Sequence, residues 1–396
     1  MEVPRLAQRP EADLLLCCAR THLSSEKKDQ IGALLHSEID WPYLIRIADA
    51  HGLMPLLYFN LKKAFPDSVP GSVLHQLHAR FLANAGRNLF LTQELFKILD
   101  LFEMKAIPAI PFKGPALAIS LYGDLALRTF RDLDILVRKQ DIQRAKTLLL
   151  SQGYRLDLSL TQQQEIVFLH SDLEGGFVRH DGKVRVEVQW GEPRDFSSPL
   201  DLEPFWKRLR KFSFAGRGVQ TFPPEDLLLL LCVHGAEHCW ERLIWVCDLS
   251  ELLRVQERID WGGLINQAEI LGCRRILFLG LLLAGDLLGE TLPAEISKRI
   301  QVDSTVRFLA GQVHEKLFQE EKGPIETWER SLFNLKVADH LQHRIRYCLR
   351  LAFHPTVVDW EAFPLPQPLF FLYRFIHPLR VARKYVWHYL KKLYYT

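Results

Sequence analysis

The sequence predicts a small α/β (α+β) core with a mixed sheet, flanked by helical regions on both sides. Three observations support this prediction. Helical periodicity prevails before residue 107 and again from Pro224 onward, short extended runs alternate with helical segments in between, and no repeat of solenoid length is present. The order strand, helix, strand, helix, strand is typical of a compact α/β unit. The expected units are residues 1–106, 107–195, 196–354 and 355–396, the last being a proline-rich connector with a basic amphipathic tail.

Length and composition exclude several classes of protein. The chain has 396 residues, of which 48% are hydrophobic and 24% are charged, as in ordinary globular proteins and unlike disordered or low-complexity chains. A chain of this length is expected to form more than one packed unit. The formal net charge of +3 is too small for a wholesale nucleic-acid binder, so nucleic acid is not an expected partner.

Targeting patterns and cysteine usage both favour a cytoplasmic protein. Glu11 and Asp13 interrupt the segment in which a signal peptide would need its apolar region. The longest apolar run, from Ile276 to Gly285, is about half of the roughly 20 residues that a membrane-spanning helix requires. The seven cysteines lack the short paired spacings of zinc sites and disulfide frameworks, as expected in a reducing compartment.

The N-terminal region is predicted to be mostly helical from residue 12 to residue 106. Thr92 is a predicted N-cap, and the apolar residues after it repeat at the spacing of one helical face. These residues are Leu95, Ile98, Leu99 and Phe102. We expect this face to belong to the apolar core.

Extended runs characterise the central region. They are Ile107 to Phe112, Leu133 to Val137, Tyr154 to Leu160 and Val184 to Trp190. Between the second and third runs, a helix is predicted from Asp141 as the cap to Gln152, with Gly153 as the terminating residue. Pro108 and Pro111 argue against a central position for the first strand, because proline cannot donate a hydrogen bond to a neighbouring strand.

Two acidic residues, Asp132 and Asp134, begin the second extended run. The two-residue period of a strand points both carboxylates to one side of the sheet. Two like charges held so close are costly unless a cation neutralises them. Oxygen ligands beside a triphosphate suit Mg²⁺, with Mn²⁺ as the second candidate. The alternative is that these acids only cap or solvate a turn.

Basic and small residues upstream of the acids predict a phosphate site. Lys113 and Gly114 are expected where the first strand turns into a helix that begins near Pro115. A glycine there lets the backbone approach a phosphate, and the free amides of a helix start attract anions. Arg128 and Arg131 can hold phosphate oxygens in bidentate geometry. The alternatives are a solvated lysine and arginines that pair with the neighbouring acids.

A third acid, Glu187, lies in the last extended run. Valines alternate with polar residues between Val184 and Trp190, which places Glu187 on the face opposite the buried valines. If this strand lies beside the strand of the aspartates, the three acids converge on one metal site. The alternative is a structural role on a half-exposed strand.

These residues resemble those of the bacterial proteins known as uncharacterised nucleotidyltransferases, within the polymerase-beta-like superfamily. The matching residues are Lys113-Gly114, Tyr122, Arg128, Asp132-Leu-Asp134-Ile-Leu-Val, Gly153-Tyr154, and Glu187 with Trp190. A second signature matches the run that begins at Pro224 and the stretch from His234 to Asp248, and weaker similarity includes His51 to Tyr58 and Asn84 to Leu95. The resemblance extends from about residue 40 to about residue 260.

The resemblance implies a nucleotidyltransferase-like core that transfers a nucleoside monophosphate from an NTP to an acceptor and releases pyrophosphate. At matching positions it implies that Gly114 is the glycine turn, that Asp132 and Asp134 bind the metal and that Glu187 is the third acid. The acceptor, a small molecule or a macromolecule, is not implied. On this interpretation, Asp134→Ala should abolish Mg²⁺-dependent turnover and keep thermal stability near that of the wild type.

Two positions depart from the family pattern. Lys113-Gly114-Pro115 stands where the superfamily turn has a glycine followed by serine or glycine, and Gln189 stands where the family more often has histidine.

Two other functions are compatible with the sequence. The same fold would also suit a non-catalytic accessory protein that binds nucleotide or docks to a partner or membrane. The run His234-Gly-Ala-Glu237-His238 has the form of an inverted zincin motif, in which two histidines bind zinc and the glutamate acts as a base in a peptidase. Gly235 within the motif and the lack of an identifiable third ligand argue against a peptidase, so His234 and His238 are expected to line the nucleotide cleft or to pack in the core.

Charge is segregated at the C-terminus. No acid follows Glu361, whereas the tail contains the cations Arg374, Arg380, Arg383, Lys384, Lys391 and Lys392. Three interpretations are open: the tail lies on an anionic surface at the inner face of the membrane, it docks to a partner, or its apolar side closes onto the body of the protein.

Overall fold

The structure, a computed structural model, describes residues 9–158, 161, 164, 175–190, 202–256, 258–319 and 325–394. For residues 357, 367 and 384–394 it describes the backbone only. The fold is mixed α/β, with a small mixed five-stranded sheet among many helices, as the sequence predicts.

Five helices form the N-terminal region. They are α1 (Pro10–Cys18), α2 (Ser25–Leu35), α3 (Trp41–Ala50), α4 (Met54–Ala64) and α5 (Gly71–Met104). The predicted N-cap at Thr92 is wrong, because Thr92 lies inside α5, where its hydroxyl donates to the carbonyl of Asn88 at 2.7 Å. The apolar face predicted after Thr92 is buried.

The central sheet places two parallel strands at its middle. Its strands are β1 (Ala109–Pro111), β2 (Leu133–Val137), β3 (Tyr154–Leu156), β4 (Gly175–Arg179) and β5 (Arg185–Gln189), in the order β1-β2-β5-β4-β3. β2 and β5 are parallel, and the other neighbours are antiparallel. The proline-containing β1 lies at the edge, where a missing donor is tolerated. Helices α6 (Pro115–Tyr122) and α7 (Ile142–Ser151) connect the strands.

Several strand predictions need correction. β4 is not predicted from the sequence, and the third extended run ends at Leu156, with residues 159–160 of the predicted strand outside the described residues. A hairpin of β6 (Arg210–Phe214) and β7 (Arg217–Thr221) also begins the region expected to be helical. Its two turn residues, Ala215 and Gly216, have φ angles of 50° and 80°, as a tight two-residue hairpin turn requires.

Helices make up the rest of the described chain. They are α8 (Glu203–Trp206), α9 (Pro224–Glu237), α10 (Leu243–Val255), α11 (Trp261–Ile270), α12 (Arg274–Leu288), α13 (Ala294–Val302), α14 (Ser304–Leu317), α15 (Thr327–Val337), α16 (Leu341–Phe353), α17 (Val357–Ala362) and α18 (Tyr373–Tyr394). The predicted connector therefore contains α17 and a 3-10 helix, Gln367–Leu372. The last helix, which carries the tail, contains Pro378 in its interior.

Two apolar cores hold these elements together. The larger core joins the N-terminal helices to the helices that follow β7, so both flanking regions share it. The smaller core lies around the sheet, the second half of α5 and α7, and extends to Trp360 and Tyr373. The division into four units remains a proposal, and its boundaries at residues 1–8 and 191–195 lie outside the described residues. Among the described helices, we find no segment whose length and hydropathy would allow it to cross a membrane.

Candidate active site

The three predicted acids lie on neighbouring positions of the sheet. Asp134 of β2 is paired in register with Glu187 of β5, so their side chains leave the same face of the sheet. Asp132 lies two residues before Asp134, at the entrance to β2. Asp134 is buried, whereas Asp132 and Glu187 are half-buried. The sheet thus brings together two chain segments that are more than 50 residues apart.

The electrostatic environment of Asp132 is unfavourable for its negative charge. Burial, and after it the charge of Asp134, raises the pKa of Asp132. A cation would relieve this repulsion, and carboxylate oxygens are the ligands that Mg²⁺ and Mn²⁺ prefer. The residue types therefore suit a hard divalent metal ion, whereas the three potential ligands whose atoms lie within 4.8 Å of one another among the described residues are His234, Glu237 and His238.

Gly114 forms the turn between β1 and α6, as predicted. It is the N-cap residue of α6, with φ of 56°, a conformation that L-residues with a side chain rarely adopt. A Cβ atom at this position would lie 3.3 Å from the main-chain oxygen of Asp132. The turn therefore packs directly against the acidic segment and needs a glycine to do so.

Lys113 is buried beside the acids. Its ammonium lies 2.8 Å from Oδ1 of Asp134 and donates to Nδ1 of His234 at 3.3 Å. Burial alone would lower the pKa of Lys113, but the charge and hydrogen bond of Asp134, together with the charges of Glu237 and Glu187, outweigh this effect and the pKa is raised. Lys113 is therefore a positive charge held within the acid cluster, rather than a solvated loop lysine.

This ion pair changes the expectation for Asp134→Ala. Removing one partner of a buried ion pair leaves the other charge uncompensated, at a cost of about 3–5 kcal/mol. Asp134→Ala is therefore no longer expected to keep the stability of the wild type, and its effect on turnover would be mixed with an effect on folding.

Arg128 has a protein partner in the structure. Its Nε and Nη2 atoms donate to the two carboxylate oxygens of Asp248 in α10, each at 2.8 Å, and the hydroxyl of Tyr122 donates to the same carboxylate at 2.7 Å. All three residues are buried. Two of the guanidinium nitrogens of Arg128 therefore bind a protein carboxylate. The predicted contact of Arg128 with phosphate stays a prediction.

Arg131 belongs to a group of cations that the sequence did not predict. It is exposed, and it lies close enough to Arg87 of α5 and Arg242 before α10 to influence both. Burial, and after it the charge of Arg131, lowers the pKa of Arg87 and of Arg242. Guanidinium groups arranged around Arg131 in this way favour the binding of an anion. Arg87 and Arg242 are far from the motif in sequence, so no local pattern could indicate them.

The end of α9 brings three further polar residues to the cluster. His234, Glu237 and His238 offer ligand atoms that all lie within 4.8 Å of one another. Both imidazole rings contact Trp245, at centroid distances of 5.4 Å and 5.1 Å. Burial, followed by the charge of Lys113, lowers the pKa of His234, and the same causes lower that of His238 to about 4. Both rings are therefore neutral at pH 7.

Gly235 in this run has a packing role. The indole ring of Trp240 lies 2.5 Å from the position that a Cβ atom of Gly235 would occupy. A side chain at residue 235 would displace Trp240, which is fully buried, so the glycine lets α9 pack closely against this ring.

The chain is similar to a known protein family and to a solved structure. A family model described as uncharacterised nucleotidyltransferase matches residues 37–289. Among solved structures, the chain is similar to the lincosamide antibiotic adenylyltransferase LnuA, crystallised with lincomycin bound. The sequence identity is 18%, and the match covers 41% of this chain and 97% of that chain. The TM-score is 0.28, which is too low to assign an activity. No curated protein matches the chain significantly.

Proposed function

The chain belongs to the family of uncharacterised nucleotidyltransferases, and from this premise we propose that it transfers a nucleoside monophosphate from an NTP to an acceptor hydroxyl or phosphate. In this reaction, an acceptor oxygen bonds to the α-phosphorus, the bond between the α-phosphorus and its bridging oxygen breaks, and pyrophosphate leaves. The in-register pairing of Asp134 with Glu187, with Asp132 two residues before Asp134 at the entrance to β2, is the observation that carries the proposal.

The residues of the site support distinct roles in this reaction. Lys113, the amides after Gly114, and Arg131 would hold the triphosphate, and Arg87 and Arg242 would add to the positive field. Glu187, half-buried and hydrogen-bonded by Arg185 at 3.3 Å, would orient the acceptor and accept its proton. Arg128 would hold the segment before β2 against α10 through Asp248.

The metal would be held by Asp132, Asp134 and Glu187. Bound Mg²⁺ or Mn²⁺ would supply charge stabilisation at the phosphates. The zinc-peptidase alternative is less favoured, because the Lys113 ammonium donates to His234 and would repel a cation held by that ring. We propose that His234 and His238 line the cleft instead.

Label transfer from an NTP tests the proposal. The protein is incubated with Mg²⁺, each of the four NTPs and fractionated cell extract, with the phosphorus label placed at the α position or, in the matched control, at the γ position. We expect label in an acceptor only from α-labelled NTP, with release of pyrophosphate. Nucleotide binding without any α-label transfer would favour a non-catalytic accessory protein.

The C-terminal helices support a second proposal, contact with an anionic membrane surface. Large apolar side chains are exposed at every fourth residue of α16: Leu341, Ile345, Leu349 and Phe353. A second such series is formed by Phe371, Phe375 and Leu379, which are 58%, 64% and 72% exposed. Exposed apolar side chains flanked by cations are typical of helices that lie in a membrane interface.

The charges of this region match an anionic partner. Arg346, Arg374 and Arg383 are exposed, and so is one acid of α17, Glu361, whereas Asp359 is buried and paired with His377 and Arg380. The tail cations Lys384, Lys391 and Lys392 lie where only the backbone is described, and residues 395–396 lie outside the described residues.

Vesicle sedimentation tests the membrane contact. The protein is expected to bind vesicles of phosphatidylcholine with phosphatidylglycerol, and binding should weaken with salt. Combined Phe371→Ser, Phe375→Ser and Leu379→Ser should abolish binding, while Leu82→Ser with Leu89→Ser, a pair on α5 that is 55% and 53% exposed, should not. Equal binding to phosphatidylcholine alone, or a dimer that the first set of substitutions dissociates, would refute the proposal.

A further inference from the structure

The ammonium of Lys113 occupies a central position among the acids. Its side chain is 9% exposed and that of Asp134 is 7% exposed, so the pair is shielded from solvent. The charges of Glu187 and Glu237 also act on this ammonium. One ammonium thus interacts with acids from β2, β5 and α9. It also donates a hydrogen bond to the ring of His234 in α9.

The same carboxylate is the expected ligand of the metal. Oδ1 of Asp134 accepts from Lys113 at 2.8 Å and lies 3.4 Å from the Nε2 donor of Gln189. A divalent cation on this carboxylate would lie close to the ammonium, and repulsion between such charges is strong where water is largely excluded. Each of the two cations therefore weakens the binding of the other to Asp134.

We propose that the Lys113 ammonium and a divalent cation compete for Asp134, so that Lys113 closes the acid site to metal until a triphosphate draws the ammonium away. This inference rests on the proposed function, because it takes the three acids as the metal site. The long, flexible lysine side chain can exchange the carboxylate for a phosphate oxygen without movement of the sheet. Lys113 is then a substrate-binding residue that couples metal binding to nucleotide binding.

The coupling has a thermodynamic consequence. A nucleotide that removes Lys113 from Asp134 must strengthen metal binding, and bound metal must strengthen nucleotide binding by the same factor. Without nucleotide, the wild-type protein is expected to bind metal weakly even though its acids are in place. Loss of the Lys113 charge should remove this penalty.

Mn²⁺ binding to the nucleotide-free protein, measured by electron paramagnetic resonance, tests the inference. Lys113→Met is expected to bind Mn²⁺ about tenfold more tightly than wild type or better, because the competing charge is gone. The matched control is Lys183→Met, which removes an exposed lysine before β5 and should bind as wild type does. Unchanged or weaker binding by Lys113→Met would overturn the inference.

Two further variants separate this inference from the proposed function and from misfolding. Asp132→Asn should lose Mn²⁺ binding; if it does not, the acids are not the metal site and the proposed function fails with the inference. His234→Leu keeps the lysine and removes its second partner, so it should strengthen Mn²⁺ binding by a smaller factor than Lys113→Met. If Lys113→Met does not fold, the result for His234→Leu decides, and unchanged binding there refutes the inference.

Discussion

Asp132→Asn is expected to lower nucleotidyl transfer by about a thousandfold or more, because several kcal/mol of charge stabilisation would be lost from the transition state. The same substitution is expected to leave the protein at least as stable as the wild type. We expect Asp132 to separate activity from folding, because burial and the charge of Asp134 disfavour its negative charge.

The sign of the stability effect follows from the raised pKa of Asp132. Burial, and after it the charge of Asp134, favours the protonated form in the folded protein. The folded state is therefore penalised at pH values above the raised pKa, and the penalty disappears as pH falls below the unfolded value of about 3.9. Asparagine removes the charge, so the melting temperature of Asp132→Asn should exceed that of the wild type at pH 7.

Calorimetry and label transfer on the same preparation check this prediction. The gain in melting temperature should shrink as the pH is lowered toward 4, since wild-type Asp132 then becomes neutral as well. Asp29→Asn, the same chemical change on the exposed surface of α2, should alter neither activity nor stability. A variant that keeps its turnover would remove Asp132 from the catalytic assignment, and one that melts well below the wild type would contradict the electrostatic argument.

Much of the central unit could be predicted from local sequence patterns. β2 follows from its apolar run, and the turn at Gly114 follows from a glycine before a proline. The start of α7 after Asp141 is also as predicted, but the Asp141 side chain makes no capping hydrogen bond and pairs with Arg144 instead. β5 follows from alternating valines. These elements depend on residues that are close in sequence, which is why the pattern was sufficient.

Strands β4, β6 and β7 were not predicted from the sequence. β4 begins with two glycines, which have low strand propensity, and its place in the sheet depends on pairing with β5. The hairpin of β6 and β7 did carry a signal, since Phe212 and Phe214 alternate with polar residues before the Ala215-Gly216 turn. The N-cap prediction at Thr92 failed because α5 extends over 34 residues.

Contacts between distant residues could not be predicted. The partner of Arg128 is 120 residues away, and the cation group of Arg87, Arg131 and Arg242 is assembled by the packing of separate elements. A partial signal existed for Asp248, because an acid inside the apolar run of α10 must find a partner when buried. The sequence does not reveal which cation provides it. The roles assigned to the site residues remain predictions.

Loss of either charge of the Arg128–Asp248 pair is expected to have the largest effect on stability. Arg128 is 5% exposed and Asp248 is 1% exposed, and two hydrogen bonds join them. Asp248→Asn leaves a buried guanidinium without its countercharge, and Arg128→Met leaves a buried carboxylate whose remaining donor is Tyr122. Each substitution should cost about 3–5 kcal/mol of unfolding free energy.

The double variant distinguishes an ion pair from two independent contributions. Arg128→Met combined with Asp248→Leu removes both charges, so no uncompensated charge remains, and its cost should be well below the sum of the single substitutions. Urea unfolding at pH 7, followed by circular dichroism and tryptophan fluorescence, provides the comparison. Additive costs would show that the pair is not coupled. Weaker NTP binding by Arg128→Met without loss of stability would instead assign Arg128 to the phosphates, because a guanidinium that served only the substrate would leave the folded protein unchanged when removed.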